Sequence, residues 1–264
     1  MHELARALSD GDLQYLIAVA SPGTRDETRL LRALREDADI LTGMLRDPRL
    51  AKHLLAEPER VVTASPRLFF AALLVRIRAE LEQTTYTVEQ EDRHLMLVFD
   101  SREVAGLMHR ADVLAYMVGM LVSFLKIRTQ SLLVRLRKGT WHRMSFSDMD
   151  LECLIALGGR AGPRELFPLE RRIGDVCLFQ SSFFPRAHEP RTGSRSESHE
   201  RRERLAEIGR HYYGLASRRA EAQELAISEA LGELAERFDM AVKPLALMAG
   251  RYLDRLRERL FAVS

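Results

Sequence analysis

The sequence predicts a mainly α protein, a multi-helix, bundle-like globular fold with one or two short β-hairpins. Three observations predict it. Apolar residues recur at intervals of three and four over most of the chain, as in helices with one buried face. Ser, Asp and Pro stand where those patterns begin, and Gly or Pro where they end. Alternation of apolar and polar residues, the mark of a strand, is confined to two short stretches.

The elements follow in order. Ser9-Asp10 caps a helix carrying Leu13, Leu16, Ile17 and Ala20, which Ser21-Pro22-Gly23 stops. A second helix starts near Asp26 with Leu30, Leu31 and Leu34 on one face, and short helices follow over 40–45 and 48–55. Ser65-Pro66 opens a core helix, because proline at the first helical position sacrifices no hydrogen bond. Phe69, Leu73, Ile77 and Leu81 recur there at spacings of four. Tyr86 to Phe99 reads as two short strands around Glu91-Asp92-Arg93. Helices from Ser101 and over 112–128 come next, then a second hairpin, 131–137 with 140–146, turning at Lys138-Gly139. Ser147-Asp148 caps a helix ending at Gly158-Gly159, and 169–184 is helical up to Pro185.

His188 to Glu203 contains sixteen residues and no large apolar side chain, which predicts a mobile loop. A C-terminal helical pair is expected over 205–261, its second member (225–261) kinked or split by Pro244. The whole, 1–264, is expected to be one unit.

Composition narrows the function classes. With 46% hydrophobic and 30% charged residues the chain is globular in character. Its 40 basic and 38 acidic residues nearly cancel, which argues against a globally basic nucleic-acid binder. Cys153 and Cys177 both sit in apolar surroundings, as buried thiols do. Met1-His-Glu-Leu-Ala-Arg lacks the basic-then-apolar pattern of a secretion signal. The longest uncharged run, Val113 to Leu125, has 13 residues, short of the roughly 20 that span a bilayer. A cytoplasmic address is expected.

Spacing decides which catalytic motifs the chain can carry. None of the eight histidines (2, 53, 94, 109, 142, 188, 199, 211) pairs with another at the interval that puts two ligands on one helix face. Glu91-x-x-His94 occurs once, where a di-iron bundle needs the motif twice. Gly158-Gly159-Arg160-Ala161-Gly162 follows a helix, so it reads as a cap and turn. No Walker lysine loop and no Gly-x-Ser-x-Gly elbow occur. No cofactor and no metal are expected.

Two constellations remain. In the 169–184 helix Gln180 falls within the apolar stripe. Gly174 implies a close helix approach, and Asp175 lies one turn from Arg171 and Arg172. On the following helix Leu205, Ile208, Tyr212 and Leu215 form the expected stripe, with His211 beside it. Convergence of Asp175, Gln180, His211 and Tyr212 would make a polar ligand pocket between the 169–184 and 205–222 helices. The second constellation is basic. No acidic residue occurs from Val113 to Ser147, where Lys126, Arg128, Arg135, Arg137, Lys138 and Arg143 surround Trp141 and His142. Such a patch suits phosphate, an anionic membrane or an acidic partner.

Ser65-Pro-Arg-Leu-Phe-Phe70, Tyr86-Thr-Val-Glu89, Val98-Phe-Asp100, the stretch from Trp141 to Asp148, Arg172-Ile-Gly-Asp with the following Leu178-Phe-x-Ser-x-Phe-Phe-Pro185, and Gly209-Arg-x-Tyr-Tyr213 together carry a resemblance. They resemble an uncharacterised bacterial family of largely helical proteins, over nearly the whole chain. The resemblance implies one full-length unit and brings no activity, cofactor or catalytic residue.

The leading expectation is a non-catalytic helical interaction or regulatory protein. A protein partner or a second copy of the chain would bind it, ahead of nucleic acid or an anionic membrane. The alternative is a helical small-molecule or metal-binding protein, or an enzyme, using the polar pocket.

Overall fold

The computed structural model describes residues 2–57, 65–91, 94–98, 100–125, 129–137, 140–147, 149–184 and 195–254; for His2, 87–97, 129–147 and 195–198 the backbone alone is described. Side-chain caps set where the N-terminal helices begin. In α2 (Asp10–Ala20) the Asp12 amide donates to Ser9 Oγ at 3.1 Å, and the Ser9 amide donates to the Asp12 carboxylate at 2.8 Å. This reciprocal box satisfies two amides that the helix leaves free. Asp26, Asp37 and Asp47 likewise cap α3 (Glu27–Glu36), α4 (Ala38–Leu45) and α5 (Pro48–Ala56). Arginines hold the opposite ends. Arg35 donates to the Ala5 and Leu8 carbonyls at the end of α1 (His2–Ala7), and Arg49 donates to the Ala20 carbonyl closing α2. A cation at a helix C-terminus answers both the free carbonyls and the dipole.

Two helices are buried on every side and organise the core. In α6 (Pro66–Gln83) each residue from Leu68 to Val75 is buried, and α2, α4 and α5 pack around it with α7 (Ser101–His109) and α8 (Ala111–Phe124). In α10 (Pro163–Phe183) each residue from Ile173 to Phe179 is buried. It is wrapped by α9 (Leu151–Gly158), α11 (Arg195–Ser217) and α14 (Phe238–Leu247). A stack of Phe124 on Phe179, ring centroids 4.2 Å apart, joins the two centres. The remaining helices are α12 (Ala220–Glu224), α13 (Ser228–Glu236) and a π-helical turn, Met248–Tyr252.

The described residues thus form fourteen α-helices, and the fold class is mainly α. Both expected hairpins fall where side chains, and the turn residues themselves, lie outside the described residues.

Several boundaries differ from the sequence reading. Helix α10 starts at Pro163, six residues before Leu169, and accommodates Pro168 in its second turn. Of the expected loop 188–203, residues 188–194 lie outside the described residues, but from Arg195 the chain is helical. Arg, Glu and Ser are adequate helix formers, and His199 pairs with Glu203 one turn on at 3.2 Å, so a stretch without large apolar residues still continues the helix. Pro244 does not split the last helix; it lies inside α14. The breaks fall earlier, at Ala226, whose φ of 53° is left-handed, and at Arg237.

No single helix among the described residues is long and apolar enough to cross a membrane. Helices α7 and α8 have the composition together, but they meet at 86° and their apolar faces are buried in the protein.

Candidate functional site

Asp175 is the most unusual residue of the core. It sits on α10 with 5% of its surface exposed, in the middle of the fully buried stretch. Its Oδ1 accepts two phenolic hydrogen bonds: from Tyr116 of α8 at 2.6 Å and from Tyr213 of α11 at 3.0 Å. The two rings meet edge to face, centroids 6.2 Å apart, so their hydroxyls converge on the one oxygen. The Tyr213 hydroxyl also lies 3.8 Å from the Met120 sulfur.

The electrostatics follow from burial. Desolvation pushes the Asp175 carboxyl above its ordinary value, opposed by the two phenols and by the charges of Arg171 and Arg172. Desolvation and the neighbouring carboxylate push Tyr116 and Tyr213 well above theirs, so both remain protonated donors. Cys177, one turn from Ile173 on the same helix, is pushed up to about 12 by burial. A carboxylate taken from water needs such donors, since hydrogen bonds to a charged group contribute roughly 1.5–3 kcal/mol each.

Glycine makes the close packing here. A methyl group on Gly174 would lie 2.6 Å from Tyr213 Cδ1 and 2.7 Å from Cε1. On Gly209 of α11 it would lie 2.6 Å from Phe238 Cζ and 3.1 Å from Cys177 Cβ. Each glycine is therefore a notch filled by an aromatic ring of a packed neighbouring helix, Tyr213 of α11 and Phe238 of α14. The close approach expected at Gly174 is what the structure has.

The other expected pocket residues lie elsewhere. Gln180 is half-buried and donates its amide to the Met149 carbonyl at 3.2 Å. His211 is exposed, and Tyr212, half-buried, meets it edge to face at 5.2 Å. The buried positions of α11 are Leu205, Ala206, Gly209, Tyr213 and Ala216. The buried face is thus turned by one residue from the expected one, and Asp175 meets Tyr213 instead of Tyr212. Tyr116 and Tyr213 were missed. The doublet Tyr212-Tyr213 beside Gly209 was the available signal; Tyr116, inside an apolar run, gave none. Asp175 has tyrosine hydroxyls as its hydrogen-bond partners, where local salt bridging to Arg171 and Arg172 was expected.

A second buried carboxylate, Glu170, is held by Arg219 through two bonds, 2.9 and 2.5 Å. On the surface a concavity of about 600 Å³ opens where α8 and α13 begin, lined in part by Glu3, Arg110, Asp112, Gln223, Ser228 and Glu229. Its cation is engaged, for Arg110 binds Asp112, Glu229 and Glu233. Among the described residues no three His, Cys, Asp or Glu side chains gather as a metal requires. The expected basic patch (Lys126, Arg128, Arg135, Arg137, Lys138, Trp141, Arg143) has all its side chains outside the described residues.

No family model, curated protein or solved structure matches the chain.

Proposed function

We propose that the protein is a non-catalytic helical interaction protein that binds an acidic protein partner, in the cytoplasm, through the basic segment 126–143. The observation that carries the reading is charge pattern. From Val113 to Ser147 the chain holds six Lys and Arg and no acidic residue, in a protein whose total charge is only +2. Segregation of that kind in a near-neutral chain favours recognition of a local patch of opposite sign.

We read 87–98 and 129–147 as the two short hairpins. The antiparallel registers Thr87↔Val98 to Glu91↔His94 and Thr129↔Ser147 to Arg137↔Thr140 support this. In the second, Arg135 stands opposite Trp141 and Leu133 opposite Arg143.

The test is affinity purification of the wild-type chain beside the variant R135E/R137E/R143E, with quantitative mass spectrometry of co-purifying proteins. An acidic protein present with the wild type and lost from a variant of unchanged thermal stability is the expected result. Equal recovery from both refutes the reading.

The alternative, a small-molecule or metal site between α10 and α11, has Asp175 in its favour, since a buried carboxyl of raised pKa is a recurrent mark of functional sites. Native mass spectrometry of the purified protein would reveal a retained ligand.

A further inference from the structure

We propose that Arg46, Arg78 and His109 form a binding site for a phosphoryl group, free phosphate or a phosphate ester, with Glu82 as the tethered anion that gives way to it. The inference does not rest on the function proposed above. Three basic side chains from three helices converge here on a single oxygen. Glu82 Oε1 lies 3.0 Å from Nη2 of Arg46 at the end of α4, and 2.9 Å from Nε2 of His109, the last residue of α7. It lies 3.6 Å from Nε of Arg78, one turn earlier on α6.

Arg78 sets the cluster apart from a surface ion pair. It is 3% exposed, yet among the described residues its Nε has no hydrogen-bond partner, and its Nη1 donates to the Met108 carbonyl only at 3.4 Å. Burial and the charge of Arg46 hold its pKa below the ordinary guanidinium value, opposed by Glu82. A buried donor left unpaired carries a lasting cost and calls for an acceptor. The Glu82 carboxylate does not supply it. Being planar, it gives both oxygens to one nitrogen of Arg46, meets His109 with Oε1, and stops short of Arg78. A tetrahedral group offers a further oxygen out of that plane.

Charge points the same way. Among the described residues two guanidiniums share this one carboxylate, and a dianion in its place would balance them. The acids nearest in sequence are engaged by other cations, Asp47 by Arg49 and Glu80 by Arg251. Glu82 is free to leave, for it is exposed and one residue from the end of α6. Gly43 and Gly106 precede Arg46 and His109 by three residues, and a methyl on either meets nothing within 4 Å, so neither helix crowds the approach. The guanidinium fork presents its donors in a fixed plane, which suits phosphate oxygens.

The experiment is isothermal titration calorimetry of the full chain with inorganic phosphate at fixed ionic strength, beside O-phosphoserine and glutarate. Saturable binding of phosphate by the wild type is expected, weakened roughly tenfold in R46A through loss of a charge-assisted fork. E82Q should bind roughly tenfold more tightly, because the tethered competitor has lost its charge. Circular dichroism reports whether each variant is folded; should R46A unfold, exposed H109A carries the test with about a threefold loss. Tighter binding of O-phosphoserine than of phosphate assigns the site to an ester, and the reverse order to the free ion. Wild-type affinity in R46A, or no binding by the wild type, overturns the proposal. Binding by E82Q alone overturns it too, since the substitution would then have made the site. Glutarate bound as tightly as phosphate overturns the phosphoryl assignment.

Discussion

Replacing Gly174 by alanine sets two effects of opposite sign against each other. In an exposed helix the change would stabilise by about 1 kcal/mol, because alanine loses less backbone freedom. At Gly174 the new methyl would stand within 3.0 Å of three ring atoms of Tyr213. That ring has no free volume to enter, being fully buried and tied through its hydroxyl to Asp175. The helices must separate, and overpacking of this kind costs about 3 kcal/mol at the upper end of the usual range. The net expectation is a loss of about 2 kcal/mol, or a Tm lower by about 4–8 °C for a chain of this size. Reversible urea unfolding followed by circular dichroism measures it. Gly232 of α13 supplies the control, since a methyl there meets nothing within 4 Å, and G232A should gain about 0.5–1 kcal/mol. Removing the ring should abolish the penalty, so a cycle of G174A with Y213A should show coupling of about 2–3 kcal/mol. A G174A protein as stable as the wild type, or a cycle without coupling, refutes the notch.

Four further outcomes are expected. Burial raises the Asp175 carboxyl above its ordinary 3.8, so the folded chain holds that proton more tightly than the unfolded one. The linked stability is complete below the unfolded pKa and is lost as pH rises through the folded one. D175N should flatten this limb in a denaturation series run upward in pH from the ordinary carboxyl value of 3.8, and an unaltered slope contradicts the assignment. Removing one phenol donor, in Y116F or Y213F, should cost about 1–3 kcal/mol and extend the falling limb to higher pH, read in the same series. R219A leaves Glu170 buried without its cation and should cost about 3 kcal/mol in urea unfolding, a loss reduced in E170Q/R219A. Cys177, buried and pushed up to about 12, should be silent to a thiol reagent until denaturant is added, whereas half-buried Cys153 should react first; equal native rates exclude this.

The helical class and several helix starts were legible because they depend on neighbours in sequence. The cap at Ser9, the start at Ser65-Pro66 and the four-residue spacing in α6 all act within one or two turns. The cap of α9 was misplaced, since Asp150 and not Ser147-Asp148 holds its first turn. The orientation of α11 was not legible. Its buried face contains Ala206, Gly209 and Ala216, small residues that hydropathy hardly distinguishes from neutral ones. Beside them Tyr212 and Tyr213 are equivalent by composition. What selects Tyr213 is the notch at Gly174 and the carboxylate of Asp175, both on another helix. The breaks at Ala226 and Arg237 were hidden for a related reason, since neither residue is a usual helix terminator and tertiary packing imposes the turn. The charged stretch from Arg195 was misjudged in the other direction. Absence of apolar residues forbids burial but not helicity.

The two glycines also govern how the C-terminal helices can move. Gly174 of α10 receives Tyr213 of α11, and Gly209 of α11 receives Phe238 of α14. The three helices are indexed along their axes like parts held by detents. Sliding any one by a single residue would drive a ring out of its recess and against a side chain bearing a Cβ. Shear between these helices is thereby blocked, and a rearrangement triggered by a partner must carry them as one rigid block.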